Sequence, residues 1–340
     1  MFAVRPILSL LLAAVVAQAP AGSVERRSPP LGLDLYMPIP EENPLTAEKI
    51  ELGRRLFFDR RLSRDGLIAC SSCHDPERAF SDGRPVAVGV FGRQGRRHAP
   101  AIINRGYGRA FFWDGRARSL EEQVLKPIQD RDEMDLALDE ASSRVNLDSA
   151  AIAGALASYV RSILSGDSPY DRFVNGERTA LSPEQQLGLQ VFRGKGNCTA
   201  CHVGPNFSDE KLHNTGIAWR RLRPLPSADV RGSSEREDPA SAEESGGLVD
   251  LGRSAVTGKD ADRGAFKTPT LREVARTAPY MHDGSFATLE DVVDYYDRGG
   301  NSNPGLDPEL KPLYLTPEDK QALIAFLRSL SGRISEGWSG

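Results

Sequence analysis

Apolar residues recur at helical spacing in two similar stretches of the chain. In the first stretch they follow Thr46 and are Ile50, Leu52, Leu56 and Phe57, and in the second they follow Ser182 and are Leu187, Leu189 and Phe192. Side chains three or four residues apart share one face of an α-helix. Thr46 and Ser182 are suitable N-caps, and Gln185 stands at the capping-box position. The pattern predicts one amphipathic helix in each half of the chain.

Two further segments repeat in the same order. Residues 155–166 (ALASYVRSILSG) resemble residues 322–332 (ALIAFLRSLSG), and both patterns are typical of amphipathic helices that end at a glycine. Upstream of each closing helix, Phe-Ser-Asp occurs at 80–82 and again at 207–209. Strand patterns are weak, although residues 86–90 could form a short strand. The repeats indicate a duplicated, mostly α-helical chain.

Between the opening and closing helices of each half lies a Cys-x-x-Cys-His motif. The two copies are Cys70-Ser71-Ser72-Cys73-His74 and Cys198-Thr199-Ala200-Cys201-His202, and together they contain all four cysteines. Residues three and four apart share a helical face, so two sulfurs can bond to one haem while the histidine binds its iron. A disulfide, a four-cysteine zinc site or a thioredoxin-like motif would not explain the histidine after both pairs. The motifs therefore predict two covalently attached haems.

The length of 340 residues fits about two domains by the usual prior. One motif in each half gives one haem per domain. We predict a mostly α protein with two tandem cytochrome-c-like haem domains, at 22–177 and 178–340. The 32 glycines and 23 prolines indicate long loops.

The first 21 residues have the features of a secretory signal peptide. Arg5 precedes an apolar run at 7–16, and Ala17-Gln18-Ala19 is a cleavage pattern, with Ala21 as a second site because Pro20 hinders cutting. The run is too short to span a bilayer. We therefore predict a periplasmic protein without a membrane span in its mature form.

Charge excludes one class of partner. The formal net charge is −4, so the chain lacks the strongly basic surface that nucleic-acid binding requires. Around residues 220–247 the chain becomes rich in Pro, Ser, Glu and Arg and loses its apolar periodicity. This composition predicts a mobile surface insertion, to which the sequence assigns no function.

With both motifs in place, residues 45–332 resemble the bacterial dihaem cytochrome c peroxidase family, and within it the MauG-like branch. The resemblance rests on the order and spacing of four further segments, at 112–116, 123–134, 268–272 and 278–296. It implies a first haem that reacts with peroxide and a second haem that handles electrons.

The resemblance also implies a set of residues around the reactive haem. The family's distal glutamate, glutamine and proline correspond to Glu133, Gln123 and Pro127. One glutamate can take a proton from the peroxide oxygen and return it to the leaving oxygen. Without the resemblance, Glu133 would be a solvated charge in the acidic run 130–135.

One family position differs here. Where peroxidases commonly carry a distal histidine that blocks the first iron, this chain has Val90, which cannot bind a metal. The difference predicts a ferric haem that is open or water-bound and needs no reductive activation. His98, eight residues later, is the alternative ligand, although a lone loop histidine is more often a hydrogen-bonding residue.

At the second haem the axial residue implied by the resemblance is Tyr296, where peroxidases carry a methionine. A phenolate favours oxidised iron, so this haem should have a low reduction potential. Tyr295 and Met281 are the rival ligands, and an aromatic packing role for Tyr296 is the plain alternative.

Two further roles follow from the resemblance. Trp113 corresponds to the tryptophan that relays electrons between the haems. A calcium ion between the domains would be held by the backbone carbonyls of Thr277 and Pro279. The usual asparagine ligand is replaced by His98, a poor calcium ligand, which leaves Asn104 as a substitute.

Together these features predict an exported dihaem oxidoreductase. In the first hypothesis it reduces hydrogen peroxide with electrons from a small redox protein, a cytochrome c or a cupredoxin. In the second, MauG-like hypothesis it oxidises residues of a partner protein. The third hypothesis is a dihaem electron carrier without catalytic activity.

Overall fold

The computed structural model describes residues 28–219 and 250–339. The predicted signal peptide, residues 1–21, and the predicted insertion at 220–247 lie outside the described residues. Within those two ranges, none of the helices combines the length and apolar character needed to cross a membrane.

The described part of the chain is mostly helical, as the sequence predicts. Its α-helices are α1 (Ala47–Phe57), α2 (Leu120–Gln129), α3 (Leu138–Val145), α4 (Ser149–Arg161), α5 (Pro169–Val174), α6 (Pro183–Arg193), α7 (Ser254–Thr257), α8 (Leu289–Asp297) and α9 (Pro317–Arg328). The strands are β1 (Leu164–Gly166), β2 (Leu212–Asn214), β3 (Ala265–Lys267) and β4 (Arg333–Ser335), and β1–β4 and β2–β3 form two antiparallel pairs.

The predicted helix starts are present. The Thr46 side chain accepts a hydrogen bond from the Lys49 backbone N–H, and Ser182 and Gln185 form a reciprocal capping box. Two details of the prediction are wrong. Both closing helices end before the predicted glycine: α4 ends at Arg161, because residues 164–166 turn away to pair with β4, and α9 ends at Arg328. Residues 86–90 form no strand and make only an isolated bridge, between Val88 and Gln94.

The two halves use the same helix crossing. Helix α1 packs on α4, and α6 packs on α9. At each crossing a glycine faces a backbone carbonyl: a methyl group on Gly53 would collide with the Ala155 carbonyl, and one on Gly188 with the Ala322 carbonyl. Only glycine allows the helices of each pair to approach this closely.

Each crossing is surrounded by its own apolar cluster. The first cluster includes Phe57, Phe80 and Tyr159, and the second includes Phe192 and Phe326. Rings meet edge to face in both clusters, with centroids 5.1 Å apart for Phe57 and Tyr159. The division of the chain at residue 177 into two haem domains stays a prediction, with which these two clusters agree.

A buried ion pair connects the halves. Arg272 donates to both carboxylate oxygens of Asp171, at 2.8 and 2.9 Å, and both side chains are almost fully buried. The same guanidinium donates to the carbonyls of Gly32 and Pro205. Such complete pairing offsets the desolvation of two buried charges.

We expect Gly53→Ala to lower the free energy of unfolding by about 1–3 kcal/mol, because the new methyl group meets rigid backbone. The matched control is Gly154→Ala within α4, where a methyl group would meet the Asn43 side chain at 3.2 Å. Removing a glycine from a helix interior also favours the fold by up to about 1 kcal/mol. Denaturant unfolding of both variants tests the crossing, and equal losses would contradict it.

Candidate active site

Both Cys-x-x-Cys-His motifs face one cavity. Its volume is about 880 Å³, and its walls include His74 and Cys73 from the first motif and Cys198, Cys201 and His202 from the second. One chamber therefore receives the two histidines that the sequence predicts to bind iron.

Each motif folds as a short 3₁₀ turn, Cys70–Ser72 in the first half and Cys198–Ala200 in the second. The backbone N–H of each histidine then donates to the carbonyl of the first cysteine of its motif, at 2.9 Å in both halves. This i to i+4 bond holds each histidine one turn beyond its first cysteine.

The ring of each histidine is oriented by a backbone carbonyl. His74 Nδ1 lies 3.1 Å from the Phe80 carbonyl oxygen, and His202 Nδ1 lies 2.8 Å from that of Phe207. Since a carbonyl only accepts, Nδ1 carries the proton and Nε2 is left to bind a metal. Burial also lowers the pKa of both imidazoles, that of His202 to about 4, which favours the neutral form that ligates.

The sequence contains the segments that provide these carbonyls but does not predict that they orient the histidine rings. They belong to the repeated Phe-Ser-Asp segments, and both phenylalanines adopt a left-handed backbone, with φ of 59° at Phe80 and 50° at Phe207. The near-equal distance of the segments from the two motifs was the available signal.

The cavity fits haem better than the alternatives. The four cysteines are not bonded to one another, and among the described residues no three His, Cys, Asp or Glu side chains are grouped to hold a metal ion. The wall also contains guanidinium groups of the kind that bind haem propionates, those of Arg97, Arg105 and Arg116, which here pair with Asp114, Asp250 and Glu210.

Helix α2 presents two of the predicted residues to the cavity. Gln123 and Pro127 are four residues apart, so they share one helical face, and both line the cavity. Pro127 has no backbone N–H to bond the Gln123 carbonyl. The chain turns back after α2 through a bond from the Met134 N–H to the Pro127 carbonyl, at 3.2 Å.

This turn places Glu133 in the cavity wall. Its side chain is half-buried, and its backbone carbonyl accepts from the Val90 N–H at 2.8 Å. Burial raises the pKa of Glu133 to about 7; Asp130 and Asp132 raise it further, whereas Arg116 opposes the shift. The half-buried position and the raised pKa distinguish this carboxyl group from the solvated loop charge that was the alternative interpretation.

His98 is engaged on both ring nitrogens. Its Nδ1 lies 2.7 Å from the Arg84 carbonyl oxygen, and its Nε2 lies 3.4 Å from Ser81 Oγ. Its backbone N–H connects the halves by donating to the His282 carbonyl at 2.8 Å, and its carbonyl accepts from the Trp113 indole of the same half at 2.8 Å. In this arrangement His98 is a hydrogen-bonding residue.

Trp113 lines the cavity and bonds to both halves. Besides the indole contact with His98, its backbone carbonyl accepts from the Lys267 N–H of β3 at 2.7 Å. The indole is thus held by two backbone bonds at the seam between the halves.

Helix α8 separates the rival tyrosines. The Tyr295 hydroxyl donates to the Thr215 carbonyl at 2.6 Å and accepts from the Asn301 N–H at 3.1 Å. Tyr296 lines the cavity, burial raises its pKa, and its hydroxyl makes no hydrogen bond with any residue in the described ranges. Met281 also lines the cavity and remains the second candidate ligand.

A structural repeat relates Tyr296 to Pro127. An isolated bridge precedes each helix, Phe111 with Ala117 before α2 and Tyr280 with Phe286 before α8. Counted from these bridges, Pro127 and Tyr296 occupy the same helical position. At this position the second half has the phenol of Tyr296, whereas the first half has the ring of Pro127, which contains no atom that can bind a metal. Sequence reasoning missed this equivalence, although Asp-Gly followed by Ser/Thr-Leu-Glu marks it in both halves.

The predicted calcium ligands are only partly assembled. Thr277 and Pro279 line the cavity. The Asn104 side chain, however, pairs with the Ser165 backbone, accepting from its N–H at 2.8 Å and donating to its carbonyl at 3.0 Å. Calcium therefore stays a prediction, and Asn104 is committed to a structural contact.

A mostly helical fold with two haem-binding motifs on one cavity defines a dihaem oxidoreductase. Residues 47–179 match the family described as di-haem cytochrome c peroxidase. The chain is 37% identical to the cytochrome-c peroxidase IdrP1 of Pseudomonas sp. (strain SCT), over 95% of this chain and 92% of the relative. It is 35% identical to the methylamine utilization protein MauG of Methylorubrum extorquens, over 86% and 81%.

A solved structure gives the same result. The crystal structure of a MauG-like protein associated with microbial copper homeostasis superposes with a TM-score of 0.73 at 33% identity, over 93% of this chain and 96% of that one. The chain belongs to the di-haem cytochrome c peroxidase family, in which MauG proteins are included, and it is a haem enzyme. The predicted family and fold class are confirmed.

Proposed function

We propose that the protein is an exported enzyme that reduces hydrogen peroxide with electrons from a small redox protein. Reducing one peroxide to two water molecules takes two electrons and two protons, so two one-electron carriers are oxidised in each turnover. The observation that carries the proposal is Glu133, a half-buried carboxyl group that shares the cavity wall with Gln123, Pro127 and His74.

The motifs and the cavity support covalent haem. In this proposal Cys70 and Cys73 attach the first haem in domain 22–177, and His74 would bind its iron. Cys198 and Cys201 attach the second haem in domain 178–340, and His202 and Tyr296 would bind its iron. The first haem, when bound, supplies the iron at which peroxide is activated.

Glu133 moves the proton. As a carboxylate it takes a proton from one peroxide oxygen and returns it to the other, which then departs as water. The Gln123 amide, which can both donate and accept, orients the peroxide. Pro127 offers no ligating atom, so the space beside His74 stays open to substrate.

Trp113 carries electrons between the halves. Its indole lies at the seam, in the wall of the cavity that both motifs share. An aromatic ring is suited to electron transfer between two redox sites because its π-system can accept and release single electrons. The donor delivers electrons to the second haem site, and Trp113 passes them to the first.

The predicted leader, residues 1–21, directs export to the periplasm in this proposal. Attachment of c-type haem outside the cytoplasm agrees with that location.

A second candidate function is favoured by Tyr296 and Val90. A phenol beside the second motif favours oxidised iron, and valine leaves the first site unblocked. Both features suit MauG-like oxidation of residues in a partner protein. Rapid peroxide turnover with a reduced small cytochrome would favour the peroxidase, whereas slow oxidation of both haems that decays without a donor would favour the MauG-like role.

We expect Glu133→Gln to reduce peroxide turnover by roughly 10²- to 10⁴-fold with both haems retained, because the amide cannot relay a proton. Stopped-flow spectra and haem content measure the two effects. Glu184→Gln, at the exposed start of α6, is the control and should act as wild type. Full activity of Glu133→Gln would instead support the dihaem electron carrier without catalysis.

The raised pKa of Glu133 predicts a pH profile. Only the carboxylate takes the proton, so the rate should rise with pH through a midpoint near 7, well above the roughly 4.3 of an ordinary glutamate. The rate of reaction with peroxide, measured from pH 5 to 9, checks this. The same midpoint in Glu133→Gln would assign the titration to another group.

We expect Tyr296→Met to raise the reduction potential of the second haem, because a thioether stabilises reduced iron and a phenolate oxidised iron. Spectroelectrochemistry measures the potential. Tyr295→Phe is the control, since it removes the neighbouring hydroxyl, which bonds to Thr215 and Asn301, and leaves Tyr296 in place. Equal shifts in the two variants would argue against Tyr296 as the ligand.

A further inference from the structure

Tyr314 is displayed outside the wall of the cavity, near the second motif. It lies between α8 and α9, and the residues on either side, Leu313 and Leu315, both line the cavity. Its own side chain points outward and is 81% exposed. Only one thickness of chain thus separates this tyrosine from the chamber that contains His202.

The segment is held by Asp297, the residue directly after Tyr296. The Asp297 carbonyl accepts from the Leu313 N–H at 2.9 Å, and its carboxylate accepts from the Leu315 N–H at 2.9 Å. Lys320 of α9 lies 2.7 Å from the same carboxylate. Both neighbours of Tyr314 are therefore bonded to the end of the helix that carries the proposed ligand.

The backbone at Tyr314 is unfavourable for its side chain. Its φ is +54°, in the left-handed region that bulky residues rarely adopt. Within the described residues, the tyrosine makes no side-chain hydrogen bond and no ring contact that would offset the strain. Phe91 is also exposed and left-handed, but the Arg93 guanidinium lies 5.2 Å from its ring centroid.

We propose that Tyr314 is the aromatic anchor by which a one-electron carrier protein docks beside the second haem site. Tyrosine is enriched among the residues that dominate protein–protein affinity, because it buries a large, stiff apolar surface and keeps a polar tip. A carrier seated on residue 314 would have its cofactor close to the chamber of His202. The inference rests on the proposed function, in which the enzyme draws its electrons from a protein donor.

The position of Tyr314, next to the cavity wall, favours a redox protein as the partner that binds there. A small reductant or peroxide can enter the cavity without a docking surface, whereas a protein-bound cofactor must be brought near the wall. Leu313 and Leu315 make the wall beneath Tyr314 apolar, and Pro312 and Lys311 are exposed beside it. A carrier whose cofactor edge is ringed by apolar groups would fit this surface.

The test uses the dihaem enzyme and two reduced probes, a monohaem cytochrome c and a blue copper protein. Tyr314→Ala should raise the KM for the better probe by about 10-fold, which corresponds to about 1.4 kcal/mol at an interface anchor. Titration calorimetry with the oxidised probe should show a matching loss of affinity. Tyr314→Phe, which keeps the ring, should retain most of it.

Controls separate docking from damage to the enzyme. Tyr36→Ala removes a tyrosine of similar exposure, 79%, from the lead segment before α1 and should change neither value. Peroxide turnover with a small-molecule reductant should be the same in all variants. An unchanged KM and affinity in Tyr314→Ala would overturn the inference, as would a wild-type enzyme that accepts the small reductant and neither protein. Loss of turnover with every donor in wild type would instead refute the proposed function.

Discussion

The site depends on one hydrogen bond made twice, from a histidine Nδ1–H to the carbonyl of a phenylalanine. At His74 and His202 this bond selects the tautomer and turns Nε2 toward the shared cavity. The phenylalanines that provide the carbonyls, Phe80 and Phe207, also insert their rings into the two apolar clusters. The position of each metal-binding nitrogen is thereby coupled to the packing of its half of the chain.

A nearly symmetric scaffold carries an asymmetric site. The glycine crossings, the bridges before α2 and α8, and the two histidine bonds repeat from one half to the other. The asymmetry lies in a few side chains on that common backbone. Pro127 and Tyr296 share one helical position, and Trp113 and His282 occupy equivalent places in the loops closed by the two bridges. The two halves of similar build thus present different side chains to one cavity at equivalent points.

The halves must keep a constant separation if electrons are to pass between them. The buried pair of Arg272 and Asp171, together with the backbone bonds from Lys267 to Trp113 and from His98 to His282, provides contacts that resist relative motion. Close packing and satisfied hydrogen bonds make such a seam rigid, because any shift would leave buried polar groups unpaired.

The sequence by itself determined the opening and closing helices of each half, the duplication and the two motifs. These follow from local chemistry: the 3.6-residue period at Ile50 to Phe57, the capping residues Thr46 and Ser182, and the spacing of Cys70, Cys73 and His74 are all read within one or two turns. The family resemblance then pointed to Glu133, Gln123 and Tyr296, and the structure brings these residues to the walls of one cavity.

Only the tertiary structure decided which groups are free to act. Whether a tyrosine or a histidine can ligate depends on what its polar atoms already bond, and those partners are distant in sequence: Thr215 for Tyr295, and the Arg84 carbonyl for His98. In the same way, Asn104 is engaged by Ser165, and burial raises the pKa of Glu133 where the turn after α2 places it in the cavity wall. Contacts of this kind carry no periodic signal, because they arise when remote segments pack together.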